Sequence, residues 1–251
     1  MAEILPPVTD PVILKQLDAL AIRHRAASGV VMNLIGYIGG SAESLLGKLP
    51  APVRAGLDGA TERALSGAMV AAERSRGIVA DRPDWVNRTL TAAMGAAGGA
   101  GGLGSSLAEL PFTVTMLLRA IQGIAAEHGF DPASEEVRME CLRVFASAGP
   151  LADDDGMDLS FLAARTTITG PSLKSLVAKV APRLSAVLGQ KLAAQAAPIL
   201  GAVAGAAVNY SFTSYYQEIA RVHFGLKRLA RDSGADEGVL REELVARLAK
   251  T

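Results

Sequence analysis

The chain has 251 residues, which suits one large domain or two small ones and suffices to bury a core without metal or disulfide staples. Half of it is apolar but only 4% is aromatic, so the apolar surface is mostly Ala, Leu, Val and Gly, a composition that favours helices packed backbone to backbone. Lys+Arg and Asp+Glu both number 25, which excludes broad attraction to nucleic acid, and the single cysteine, Cys141, excludes an intrachain disulfide framework and fits a reducing compartment.

Residues 1–9 read as a frayed leader. With Glu3 and no basic segment ahead of an apolar run, they do not resemble a secretory signal, so the cytoplasm is the expected location. Asp10-Pro11 is a helix start, with Asp as N-cap and Pro at the first helical position. Val12, Leu14, Leu17, Leu20 and Ala21 then recur at helical spacing. Residues 26–42 carry no charge, and Gly29, Gly36, Gly39 and Gly40 interrupt them, which predicts a short second helix with a glycine-rich exit. Pro50 and Pro52 mark a turn before an Ala-rich helix over 53–76. Asp81-Arg82-Pro83-Asp84-Trp85 is a break and a new start. Residues 89–97 are helical in composition, 98–104 read as a flexible turn, and an apolar helix over 111–128 stops at Gly129.

Asp131-Pro132 opens another predicted helix, with Val137, Cys141, Val144, Phe145 and Ala148 as its apolar stripe, ended by Gly149-Pro150. The run Asp153-Asp154-Asp155 reads as a solvated loop. Helices are predicted over 158–169, 171–188, 190–197, 212–231 and 236–249. Period-2 alternation and hairpin dipeptides between strands are lacking. The fold class is therefore all-α: a multi-helix bundle with a Gly/Ala-rich helical hairpin at its centre. One domain over 1–251 is expected, with N-terminal helices in 10–80, a core in 85–230 and a C-terminal helix in 236–249.

Three uncharged stretches, 26–42, 89–108 and 192–217, raise the question of a membrane. A spanning helix needs roughly 20 predominantly apolar residues. The second stretch is diluted by Gly, Ser and Thr; the third carries Gln195, Asn209, Ser211, Thr213, Ser214 and Gln217. Gly36/Gly40, Gly95/Gly99, Gly98/Gly102 and Gly201/Gly205 have the four-residue spacing that lets helices cross closely, in lipid or in water. A bundle with a buried small-residue seam is the favoured reading, ahead of a protein resting on a membrane and of true spans.

Motifs that would carry chemistry are weak. Gly99-x-Gly101-x-x-Gly104 matches the dinucleotide fingerprint, but the preceding TLTAAMGAAG lacks the β-branched run of a buried strand. There is no P-loop, no HExxH and no GxSxG. The acidic run fails the calcium-loop pattern, because Leu151 and Leu162 occupy ligand positions. Cys141 sits on an apolar stripe, as a small buried hydrophobe would. His24, His128 and His223 are too scattered to suggest a metal site, and neither metal nor cofactor is expected.

Arg119 is the charge that stands out, alone in its apolar helix between Glu109 and Glu127. A buried guanidinium is tolerated only when paired, and Glu109, Glu136 and Glu140 are candidate partners. Asn209 and His223 flank an aromatic group of Tyr210, Phe212, Tyr215 and Tyr216. A buried polar cluster of Glu109, Arg119, Glu140, Asn209 and His223 is the expectation, with a structural network as the simpler reading and a functional pocket as the sharper one.

The string GGAGGLGSSLAELPFTVTMLLRAIQGIAAEHGFD, then EVRMECLRVFASAG, resembles the core signature of the EcsC family: a Gly-rich segment, an E-L-P-x-T opening, an apolar helix with one Arg, and a C-L-x-V-F helix. GAVAGAAVNYSFTSYYQEIARVHFGLKRL resembles its second signature, a small-residue segment ending in Asn and followed by A-x-x-H-F-x-L-x-x-L. The resemblance covers residues 85–229; the acidic loop 153–158 departs from it. It implies a helical bacterial protein of a family named for a gene beside an ABC exporter. Glu109, Pro111, Arg119, Asn209, His223 and Phe224 match the family's motif positions. Some members carry a peptidase label, for which this sequence offers no motif.

The first functional expectation is a membrane-associated binding or accessory protein, peripheral to the inner membrane, whose partner is a membrane surface or a membrane protein complex. Self-association is left open. One alternative is a hydrolase with Glu109 and His223 as acid–base groups. Another is a carrier of lipid or another small ligand in a pocket between helices.

Overall fold

The computed structural model describes residues 8–38, 47, 49–78, 83–100, 102–146, 177, 181, 185, 188, 189, 192 and 201–249. Among them are seven helices and no strand: α1 (Pro11–Ile38), α2 (Ala51–Ile78), α3 (Asp84–Ala100), α4 (Gly102–Glu127), α5 (Glu135–Ala146), α6 (Gly201–Ser233) and α7 (Glu237–Leu248). The all-α bundle expected from periodicity is what forms.

The α3–α4 hairpin packs on α6, and α6 is the element the others share, touching α1, α3, α4, α5 and α7. Its 33 residues make a rod of about 50 Å. The main core gathers Leu65, Leu117, Leu118, Phe145, Phe212 and Tyr216 from α2, α4, α5 and α6. A second, smaller core at the far end of α6 joins Leu17 and Ala21 of α1, Val222 and Leu226 of α6, and Leu240 and Leu244 of α7. Helix α2 packs on α4.

Four boundaries differ from the sequence reading. Helix α1 runs unbroken through Gly29 and Gly36. Glycine weakens a helix interior only by roughly 0.5–1 kcal/mol, which packing against α6 offsets. In the glycine run 98–104, residues 98–100 end α3 and 102–104 begin α4, so both helices extend into the predicted turn. Helix α5 starts at Glu135, because Asp131 closes a local turn onto the Ala133 N–H (2.9 Å) and Ser134 Oγ accepts from the Val137 N–H (3.3 Å) as the cap. Helix α6 begins at Gly201 rather than 212.

Helix α4 continues through Pro111, which lacks one backbone donor. It ends at Gly129, whose φ of 80° suits glycine. The Phe130 N–H bonds Ala125 O (3.0 Å) and the Gly129 N–H bonds Ala126 O (2.9 Å), closing a Schellman motif. Arg231 of α6 caps it, donating to Gly129 O (3.1 Å) and stacking 5.1 Å from the Phe130 ring centroid. The acidic run 153–158 and most of the helices predicted over 158–197 lie outside the described residues. Val177, Ala181, Ser185, Leu188 and Leu192 are helical and buried, spaced as one face of a helix.

Candidate functional site

Helices α3 and α6 run antiparallel at very close range. A Cβ built on Gly95 would lie 2.1 Å from Gly205 O and 2.6 Å from Asn209 Nδ2. Only glycine fits there. The contact delivers Asn209, 1% exposed, into a buried polar seam. Its Nδ2 donates to Thr91 O (2.8 Å) and to Glu109 Oε1 (2.6 Å). Thr113, one turn along α4, donates to the same Oε1 (2.8 Å). The Thr91 and Thr213 hydroxyls share a hydrogen bond of 2.7 Å, and Thr213 Oγ1 donates to Asn209 O (2.8 Å). The Glu109 carboxyl is thus held by donors from α4 and α6 in a seam where water has little access.

A second buried group lies farther along α6. His223 Nε2 sits 2.8 Å from Glu140 Oε2, and Arg143 Nη1 bonds Glu140 Oε1 at 2.6 Å. Lys227 Nζ is 3.7 Å from that Oε1 and 3.3 Å from Glu237 Oε2, which links α5 and α6 to α7. Burial acts to raise the Glu140 pKa, but the His223 hydrogen bond and the charges of His223, Lys227 and Arg143 outweigh it and hold the carboxyl down to about 2. The folded value lies below the usual 4.5, so this stabilisation is present above pH 4.5 and is lost as pH falls toward 2. Glu140→Gln is expected to cost about 3 kcal/mol at neutral pH and to flatten the acid limb of stability between those values. Chemical denaturation of both proteins from pH 2 to 7 checks this; an unchanged acid limb would refute it.

The five candidate residues are all buried, but they fall into separate contacts. Glu109 meets Asn209, and Glu140 meets His223. Asn209 and His223 stand about 21 Å apart along α6, at a rise of about 1.5 Å per residue. Arg119 lies about 15 Å along α4 from Glu109, and its Nη1 donates to Ser75 of α2. The four-residue spacing of Gly95/Gly99 and Gly201/Gly205 marks a close crossing in the sequence, whereas Thr91, Thr113 and Thr213 are not among the site residues expected from sequence. The Glu109/Thr113 pair at i, i+4 was readable in the E-L-P-x-T motif; Thr91 and Thr213 had no signal without the α3–α6 register.

His24 is buried on α1, where burial and then Arg25 lower its pKa. His128 Nδ1 lies 2.7 Å from Ile124 O at the end of α4, and Cys141 is wholly buried in the core.

Charge is polarised along the bundle. Asp84 and Arg221 form an ion pair, and Arg221 also reaches Glu218 (3.4 Å) and Glu127 (3.6 Å). Arg23 of α1 bonds Glu218 at 2.6 Å, and Arg88 bonds Gln217 at 2.6 Å. Beyond this belt α1 carries no charge after Arg25, α3 none after Arg88, and α6 none before Glu218. Because α3 lies antiparallel to α6, with Thr91 beside Thr213 and Gly95 beside Gly205, the charge-free lengths of these two helices run side by side. They form a band about 24 Å deep along α6. Its surface exposes Val203 (74%), Tyr210 (44%) and Leu90 (39%), with Ala93, Ala97 and Ala207 between them.

A helical bundle organised on one long helix, with an E-L-P-x-T carboxyl held by an asparagine across a glycine contact, defines the class. Residues 78–229 match the EcsC protein family, and the chain belongs to that family. The match spans α3 to α6, which contain the glycine contact and both carboxyl groups. No curated protein and no solved structure matches the chain.

Proposed function

We propose that this EcsC-family protein acts by binding, and that it rests the charge-free band of α3 and α6 on a membrane surface. The observation that carries this reading is the exposure of Val203, Tyr210 and Leu90 within a band that holds no charged group on those two helices. An exposed apolar face of that extent on a bundle marks an interaction site. None of the described helices is long and apolar enough to cross a membrane. Contact is therefore side-on, with Tyr210 placing its ring at the headgroup level and Val203 in the acyl boundary.

The hydrolase reading gains nothing from the geometry. Acid and base must come within hydrogen-bond reach or one water of the same substrate, and Glu109 and His223 are engaged in contacts about 21 Å apart. Both carboxyl sites act as buried clamps between helices.

Flotation with liposomes tests the reading. Wild-type protein is expected to float with vesicles, and Val203→Glu with Tyr210→Glu is expected to reduce the floated fraction at least fivefold while leaving the melting temperature unchanged. Both side chains are exposed, so the fold tolerates the change. Wild-type protein that stays at the bottom of the gradient with anionic and neutral vesicles alike would end the proposal.

A further inference from the structure

A second apolar feature lies away from that band, in the furrow where α2 meets α4. Along one flank of α2 stand Gly56, Ala60, Ala64, Gly67 and Ala71, facing Pro111 of α4. They line two adjoining cavities of about 400 and 570 Å³ that share Ala60, Ala64 and Pro111. The flank is about 22 Å long. Asp58, which bonds Ser185, points about 200° around α2 from Gly56, so that contact leaves the furrow open.

The glycines of the furrow differ from those of the α3–α6 seam. Gly95 is required by the chain itself, since a Cβ there would meet the backbone oxygen of Gly205. A Cβ on Gly56 or Gly67 would meet nothing within 4 Å. Mid-helix glycine is destabilising relative to alanine, and no internal contact explains it here or at Gly59, which lines neither cavity. What the two glycines provide is depth in the furrow.

Among the described residues the lining carries one charge. Arg63 lies at the wider cavity, its Nε donating to Gly59 O at 3.0 Å, and no carboxylate among the described residues pairs with it. An apolar slot with a single guanidinium at its side complements an apolar tail with an anionic head. We propose that the α2–α4 furrow binds one long-chain anionic amphiphile, its tail along Gly56–Gly67 and its carboxylate or phosphate on Arg63. This site is independent of the membrane-facing band.

Titration calorimetry of the full chain with oleate below its micelle concentration tests the site, with oleyl alcohol and lysophosphatidylglycerol as companion probes. Wild-type protein is expected to bind oleate saturably at one site. Gly56→Leu and Gly67→Leu fill the slot and should weaken binding at least tenfold with an unchanged or raised melting temperature. Arg63→Gln should weaken oleate and lysophosphatidylglycerol several-fold and leave oleyl alcohol unaffected. A carboxylate source is favoured if oleate outbinds the lysolipid, a phosphate source if the order reverses. Absent or non-saturating binding would overturn the proposal. So would filled variants that bind as wild type, or filling that instead dissociates an oligomer in gel filtration. Val203→Glu with Tyr210→Glu should leave oleate binding intact, so failure of the band reading and failure of this one are told apart.

Discussion

Gly95→Ala is expected to destabilise the protein by ~3 kcal/mol, the upper part of the range for overpacking. The new Cβ would sit 2.1 Å from a backbone oxygen, Gly205 O, and not against the end of a flexible side chain. Helix α3 or α6 must then move, and the Asn209 amide, which Cβ would also overlap, moves with it. For a chain of this size that corresponds to a fall in melting temperature on the order of 10 °C. Gly29→Ala is the control: a Cβ there meets nothing within 4 Å, so that variant should melt at or slightly above wild type. Thermal unfolding of the pair decides it. Equal melting temperatures would show that α3 and α6 are not in backbone contact.

Asn209→Leu is the second large effect, at about 3 kcal/mol, because one side chain supplies both the Thr91 O and the Glu109 Oε1 bonds in a buried setting. Leucine is close in size and apolar, so the loss reports the hydrogen bonds rather than a cavity. Adding Glu109→Gln should recover part of the loss, since a neutral amide is less costly to bury than a carboxyl without its donor. The Gly95→Ala and Asn209→Leu losses should not add, because both act on the same amide. Urea denaturation of the singles and the doubles measures the coupling; strict additivity would separate the glycine contact from the polar seam.

Much of the fold was legible in the chain. The helical spacing of Leu17, Leu20 and Ala21, the Asp10-Pro11 start and the Gly129 stop all report local geometry, and each is where periodicity and capping place it. The errors have one cause. At Gly29, Gly36 and Gly98 isolated glycine suggests a break, whereas packing against α6 keeps residues 29, 36 and 98–100 helical. Residues 201–211 were likewise undervalued as helix, since their strength as part of α6 comes from the elements around them.

The candidate site was legible as residues but not as pairs. Burial of Glu109, Arg119 and Asn209 follows from lone polar groups standing in apolar stretches, whereas Glu140 and His223 stand among other charges and are buried only by packing. Which of them touch depends on register. Asn209 meets Glu109 only because Gly95 and Gly205 let α3 and α6 close, and Glu140 meets His223 only through the docking of α5. Glu127 shows the same limit, since its reach to Arg221 joins residues on different helices.

By itself the sequence determined the helical class, the family, the small-residue seams and the list of buried polar side chains, because each is written in composition, period or motif. The tertiary structure alone decided that the charge-free lengths of α3 and α6 lie level with one another, and that Gly56, Gly59 and Gly67 of α2 face open space while Gly95 faces a carbonyl. Both depend on how helices are set side by side, a relation between residues far apart in the chain that no local propensity encodes.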